Sequence, residues 1–117
     1  MSVISSWMGE FRKWCPSLRI IRLHTNDVEE RVRLADRVVN DVDDWDVCVT
    51  TYEIAKGQLH HALSRQVVWR TVTLDEGHKV KNVDSQTSQA IKDFRACCKL
   101  LLTGTCVFPS PTQPGNE

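Results

Sequence analysis

No run in this sequence approaches the roughly 18 consecutive apolar residues that a membrane-spanning helix needs. The first residues, "MSVISSWMGEFRKW", lack the basic start and long apolar core of a secretory signal. An intracellular protein with no membrane partner is the expectation. Charge of one sign is also missing. Fifteen Lys and Arg balance fifteen Asp and Glu, so composition gives no basic surface of the kind that marks nucleic-acid binding. The five cysteines are odd in number and contain no C-x-x-C pair, which argues against a disulfide framework or a zinc site. Free, mostly buried thiols are expected instead. Glycine is scarce, and none of the five glycines opens a G-x-x-x-x-G-K-[ST] loop. The chain therefore carries no phosphate cradle of that type. Internal repeats and low-complexity tracts are absent too.

What is present fits one compact domain. The chain has 117 residues, 41% hydrophobic and 26% charged. Trp7, Phe11 and Trp14 fall on one helical stripe, expected to be core packing, with Ser5 or Ser6 as cap and Pro16 as stop. "LRIIRLH" (Leu18 to His24) reads as a strand. Val28, Val32, Ala35 and Val39 predict an amphipathic helix opened by an Asn26–Glu29 capping box. "DVCVTT" (Asp46 to Thr51) is a short buried strand. Tyr52 to Ser64 reads as helix with Gly57 as a break or cap. "VVWRTVTL" (Val67 to Leu74) is a third strand. Asp84 to Phe94 is a helix turning Ala90, Ile91 and Phe94 inward. "CCKLLLT" (Cys97 to Thr103) is the last strand. Helices alternating with strands predict an α/β fold with parallel pairing. "CVFPSPTQPGNE" holds three of the four prolines and is expected to be an irregular tail.

Ligands of open parallel sheets bind beyond the carboxyl ends of the strands. Asp75 and Glu76 in "LDEGHKVKN" stand there, as do Thr50 and Thr51, and Thr103, Gly104 and Thr105. An acidic pair at such a rim suits magnesium and phosphate chemistry. A hard cation takes oxygen ligands and keeps several waters. One carboxylate can hold the hydrated ion while its neighbour orients or deprotonates the attacking water. Taken alone, D-E-x-H is more simply a solvated loop after a core strand. His60 and His61 lack a third ligand at helical spacing. Lys79 and Lys81 read as a solvated loop, and Trp45 and Trp69 as packing residues.

"SSWMGEFRKW", "WDVCVTTYE", "LDEGHKVKN" and "LLTGT" stand in the order and approximate spacing of the Snf2-type chromatin-remodelling ATPases, nearest in look to the imitation-switch group. The resemblance runs from Ser2 to about Thr105. It implies a partial RecA-like lobe of helicase superfamily 2, a parallel sheet of about four strands with flanking helices, lacking the P-loop strand. It divides the chain into a partial lobe over 1–105 and a Pro-rich tail over 106–117. By resemblance, Asp75 serves the magnesium, through water, Glu76 serves the attacking water, and His78 closes motif II. Thr103, Gly104 and Thr105 match motif III, which links ATP hydrolysis to DNA movement. Thr50 and Thr51 match motif Ib, a contact to DNA phosphates, and Ser5, Ser6 and Trp7 match the end of motif Ia and the helix after it.

Departures qualify the resemblance. Gly77 stands where alanine is commoner. The family's P-loop strand would lie upstream of Met1, and its second lobe with the arginine finger is absent. Cys106 replaces the proline that follows T-G-T. The expectation is a slice of a first lobe: ATP, Mg2+, double-stranded DNA and the nucleosome belong to an intact, nuclear parent, and the piece itself binds no cofactor tightly and is inactive alone. Two other classes stay open on the residues: a non-catalytic module binding DNA or a remodeller subunit, and an unrelated magnesium-dependent hydrolase. An apolar last strand, "CCKLLLT", with one charge and no proline, adds the expectation of self-association through an open sheet edge.

Overall fold

The computed structural model describes residues 3–76 and 85–102. Expectations that fall on His78, Lys79, Lys81, Thr103, Gly104, Thr105 and the 106–117 tail lie outside the described residues. Helix α1 (Val3–Trp14) leads to β1 (Ile20–Leu23), α2 (Val28–Asn40), a 3-10 turn (Val42–Asp44) and β2 (Val47–Thr50). Two short helices follow, α3 (Tyr52–Ala55) and α4 (His60–Arg65), then β3 (Trp69–Leu74), α5 (Gln86–Lys92) and β4 (Ala96–Leu101). The alternating order and the α/β class are those read from the sequence. No helix among the described residues is long and apolar enough to cross a membrane.

All pairing is parallel, as crossover helices between successive strands require. The strands form two pairs. β1 lies on β2 with Ile21 opposite Cys48 and Leu23 opposite Thr50. β3 lies on β4 with Trp69 opposite Ala96 and Leu74 opposite Leu101. No ladder joins β2 to β3 among the described residues. One core spans both pairs nonetheless: Ile21 and Leu23 from β1, Val38 from α2, Leu63 from α4, Leu74 from β3, and Ile91 and Phe94 around the end of α5. Side-chain packing therefore holds the two pairs together, with Trp45 and Trp69 in ring contact at 5.7 Å. Both tryptophans pack rather than stand open, as expected.

Local chemistry sets the element ends. Arg19 clamps the entry to both strands of the first pair. Its backbone N–H donates to Asp46 at 2.7 Å and its guanidinium reaches both oxygens of the same carboxylate at 3.2 Å. That contact holds the Asp46 carboxyl below its ordinary range. Helix α2 is capped by Asp27, whose carboxylate accepts from the N–H groups of Glu29 and Glu30, and not by Asn26. Asp27 sits one residue closer to the first helical turn, where its oxygen can meet both amides. The buried stripe of α2 is rotated accordingly. Ala35 and Val38 are buried, whereas Val28 and Val32 are exposed. Gly57 does break the Tyr52–Ser64 segment. A β-carbon there would come within 2.9 Å of the Glu53 carbonyl oxygen, so the backbone closes around a missing side chain.

Two further expectations need correction. The Trp7–Phe11–Trp14 stripe is not core: Ile4 is the buried residue of α1, and Trp14 is 67% exposed, its indole donating to Glu10. The thiols are not mostly buried. Cys15, Cys97 and Cys98 are exposed, and Cys48 is half-buried. Cys97 and Cys98 fall on opposite faces of β4, so each face of that strand carries an exposed thiol.

Replacing Leu63, 1% exposed, by alanine should cost about 2–5 kcal/mol, a large part of a small domain's stability. Val32→Ala, at a position 58% exposed, should change stability by no more than about 0.5 kcal/mol. Urea unfolding of both variants is the check. An equal loss in the two would place the core elsewhere.

Candidate functional site

The carboxyl ends of the four strands are the natural place for a site, and the described residues show what collects there. β3 ends at Leu74, and the Leu102 N–H donates to the Leu74 carbonyl at 2.8 Å, carrying the parallel pairing one step past β4. Leu102 thus lies beside the residue that precedes the acidic pair. Asp75 and Glu76 follow at once, both half-buried.

Three groups fix Asp75. The Tyr52 hydroxyl donates to its backbone carbonyl at 2.6 Å. The Trp7 indole N–H donates to its Oδ2 at 3.1 Å, across 68 residues of sequence. The Glu76 N–H donates to its Oδ1 at 2.9 Å. Glu76 itself has φ 52°, in the left-handed region that costs a non-glycine residue about 1–3 kcal/mol. The bond from the Glu76 amide to the Asp75 carboxylate helps to hold this conformation.

Tyr52 is what brings the second strand end to the first. It opens α3 immediately after Thr50 and Thr51. Its hydroxyl reaches across the gap between the two strand pairs. The Thr50 hydroxyl donates to the Leu23 carbonyl at 2.7 Å, tying the ends of β1 and β2. The Thr51 hydroxyl accepts from the Ile54 N–H at 3.2 Å and caps α3. Both threonine side chains therefore have structural tasks at the same rim. Of the site residues named from sequence, Thr50, Thr51, Asp75 and Glu76 are brought to one end of the fold. His78, Thr103, Gly104 and Thr105 lie outside the described residues.

Trp7 and Tyr52 are the partners that sequence reasoning missed. Trp7 was read as packing because its spacing to Phe11 and Trp14 is helical, and nothing in that pattern shows which way an indole N–H points. Tyr52 was read as a helix residue. The signal available was its uniqueness, since it is the chain's one tyrosine, set directly after the threonine pair.

Elsewhere the titratable side chains are occupied differently. His60 Nε2 lies 3.0 Å from the Ala90 carbonyl and 3.4 Å from an Asp93 oxygen. No cluster of three or more His, Cys, Asp or Glu suited to a metal occurs among the described residues. A cation at Asp75 would have to be held largely through water. The donor set fits that: two hard carboxylate oxygens, each already oriented by an N–H donor and each retaining a lone pair.

Comparison with known proteins bears on the family. The chain matches the family model described as "SNF2-related domain" over residues 1–113. It is 35% identical over 104 residues to the human protein named SWI/SNF-related matrix-associated actin-dependent regulator of chromatin subfamily A member 1, covering 89% of this chain and 10% of that one. It is 39% identical over 104 residues to "Helicase swr-1" of Neurospora crassa, covering 89% and 5%. The Arabidopsis thaliana "ISWI chromatin-remodeling complex ATPase CHR11" is 35% identical, with 89% and 10% covered. Among solved structures, the SWI2/SNF2 ATPase core of Sulfolobus solfataricus in complex with dsDNA superposes with TM-score 0.71 and 27% identity, over 90% of this chain and 20% of that one. The chain spans a tenth or less of the length of these curated relatives.

Tyr52 supplies a direct report on this rim. Burial, then the charges of Asp75 and Glu76, push its phenol from the ordinary 10.0 up to about 12. The fold favours the neutral form, so this contribution to stability is complete below pH 10 and is lost as pH rises through about 12. Ultraviolet titration of the single tyrosine should show the raised value. Asp75→Asn should lower it only in part, because burial is the larger cause. A midpoint at the ordinary value in the folded protein would contradict the geometry.

Proposed function

The chain belongs to the SNF2-related domain family, and on that premise we propose that it is the nucleotide- and DNA-facing rim of a RecA-like lobe from an ATP-dependent, DNA-translocating chromatin remodeller. One observation carries the reading. The Tyr52–Asp75 hydrogen bond sets the threonine pair beside the acidic pair although β2 and β3 share no ladder among the described residues. A motor that converts phosphate chemistry into movement along DNA needs its hydrolytic and DNA-contacting segments in mechanical contact.

In this reading Asp75 would hold Mg2+ through water and Glu76 would orient the attacking water. The bound ion would supply charge neutralisation for the transferred phosphoryl group. Asp75 is suited to its role because both of its oxygens are already oriented. Glu76 is suited because it follows Asp75 directly, at a left-handed backbone position with φ 52°. Thr50 and Thr51 would meet DNA phosphates, contacts that position a protein without reading sequence. Their hydroxyls are engaged inside the fold, so main-chain groups of this segment are the better candidates for the contact. His78 would close motif II, and Thr103, Gly104 and Thr105 would couple hydrolysis to DNA movement. The partial lobe would cover 1–105, with 106–117 as tail. The parent would work in the nucleus on double-stranded DNA and nucleosomes, with ATP and Mg2+.

The residues of this chain do not complete an ATPase. A phosphate cradle of the G-x-x-x-x-G-K-[ST] type is absent from it, and preorganised donors of that kind are usually the largest catalytic contribution.

A second reading, a non-catalytic interaction module, draws on the state of β4. Leu100, Leu101 and Leu102 are 48%, 42% and 38% exposed, and β4 pairs only with β3 among the described residues. An open apolar strand is a template for another chain, a second copy included.

The isolated chain should show no ATP turnover above a Glu76→Gln control, with or without DNA, because the loss of even one preorganised donor costs about 100-fold or more. Steady phosphate release well above that control would overturn this account of the residues. Light scattering during size-exclusion, across a dilution series, should show concentration-dependent association. A monomer at every concentration would remove the support for the second reading.

A further inference from the structure

Trp7 belongs to α1, a helix that packs against β2. Its stripe partner Trp14 is open to solvent, and its ring contact to Phe11, at 6.1 Å, is within α1 itself. Yet its indole N–H, a donor with no acceptor capacity, is spent on a carboxylate 68 residues away. A hydrogen bond to an ionised acceptor is among the stronger ones available, and it fixes direction as well as distance. The opposite oxygen of the same carboxylate takes the Glu76 N–H, and the carbonyl behind it takes the Tyr52 hydroxyl. Asp75 is thereby held at three atoms by three segments that share no β-ladder with one another.

We infer that Trp7 is a positioning residue for Asp75: its indole orients the carboxylate that receives the divalent cation, and it makes α1 sense whether that carboxylate is engaged. The cation part of this inference rests on the reading of Asp75 given above. The positioning part rests on the hydrogen bonds alone. A hydrated cation arriving at Asp75 meets two oxygens that already accept from the Trp7 indole and the Glu76 N–H, so it shares the carboxylate with these donors. The ion's charge, on either oxygen, is then felt through one carboxylate at the Nε1 proton, and hence at the N-terminal half of α1. Partners that orient a metal ligand from behind in this way commonly change affinity when removed.

The test uses the full chain with nitrogen-15-labelled tryptophan, which gives one indole N–H signal for each of four tryptophans. Trp7→Phe identifies the Trp7 signal while retaining an aromatic ring against Phe11. Asp75→Ala should shift the Trp7 signal and speed its solvent exchange, leaving those of Trp45 and Trp69 in place. Glu76→Gln should leave it where it is. Mg2+ should move the Trp7 signal in the wild type and not in Asp75→Ala. Mn2+ affinity, followed by water relaxation, should fall about 10-fold or more in Trp7→Phe. A folded Asp75→Ala protein in which none of the four indole signals moves overturns the inference, and that outcome does not require the Trp7→Phe variant to fold. Unchanged Mn2+ affinity in a folded Trp7→Phe protein overturns it as well. A wild type that binds neither ion, with the Asp75→Ala shift present, upholds the positioning contact and counts against Asp75 as a cation site. The two failures are therefore separable.

Discussion

Asp75 is the point on which the arrangement of this rim depends. Its three captured atoms join α1, the start of α3 and the turn after β3. Each bond is worth little by itself, on the order of 1 kcal/mol net, and more where the acceptor is charged. Their importance is geometric. The two strand pairs are joined by packing, and packing is non-directional, so it does not set the relative position of two strand ends. Directional bonds at the rim do. Removing the Asp75 side chain would leave the Trp7 indole and the Glu76 amide without these acceptors and would free a backbone turn that is already strained at Glu76.

The opposite end of the first pair is organised by the same logic with different chemistry. Arg19 presents a fixed fork to Asp46 and also donates to the Asp43 carbonyl. This clamp is exposed to solvent, so its value lies in register more than in stability. Between the clamp and the rim, the buried side chains of Leu23, Val38 and Leu63 provide the cohesion. Burying a leucine fully is worth about 1.5–3 kcal/mol, more than a typical neutral hydrogen bond at about 1 kcal/mol. Polar contacts therefore position this fold, and the apolar core sustains it.

The division explains what could be read from the sequence. Alternating helices and short apolar strands were legible because burial imposes a period on each element, and period 2 differs from period 3.6. The acidic pair was legible because it follows a strand directly. The family was legible because four short motifs hold their order, and the match over residues 1–113 bears that out. The α2 stripe was read correctly at Ala35 and Val39 and wrongly at its start, where Val28 and Val32 are apolar yet exposed, while Arg31 is half-buried and donates to the Thr25 carbonyl. The α1 stripe was misread because amphipathic spacing shows that a face exists and not whether anything covers it. Trp7 and Tyr52 escaped because a hydrogen bond across 68 or 23 residues leaves no local pattern.

The last strand shows how a local rule can be satisfied without its usual effect. Charged residues on an edge strand normally discourage pairing with another chain. β4 has one, Lys99. Its ammonium group turns back to α5 and donates to the carbonyls of Ile91 at 3.1 Å and Lys92 at 3.3 Å. Those are carbonyls of the last helical turn, the end of a helix that favours a cation, and the Ile91 carbonyl also accepts from the Phe94 N–H at 3.1 Å. The lysine that could guard the strand is thus engaged in capping the helix that precedes it. What remains along β4 is Cys97, Cys98, Leu100 and Leu101, exposed on both faces. A strand of that composition in a parallel sheet ordinarily lies buried between neighbours. Its sequence is that of a central strand, and its position among the described residues is that of an edge.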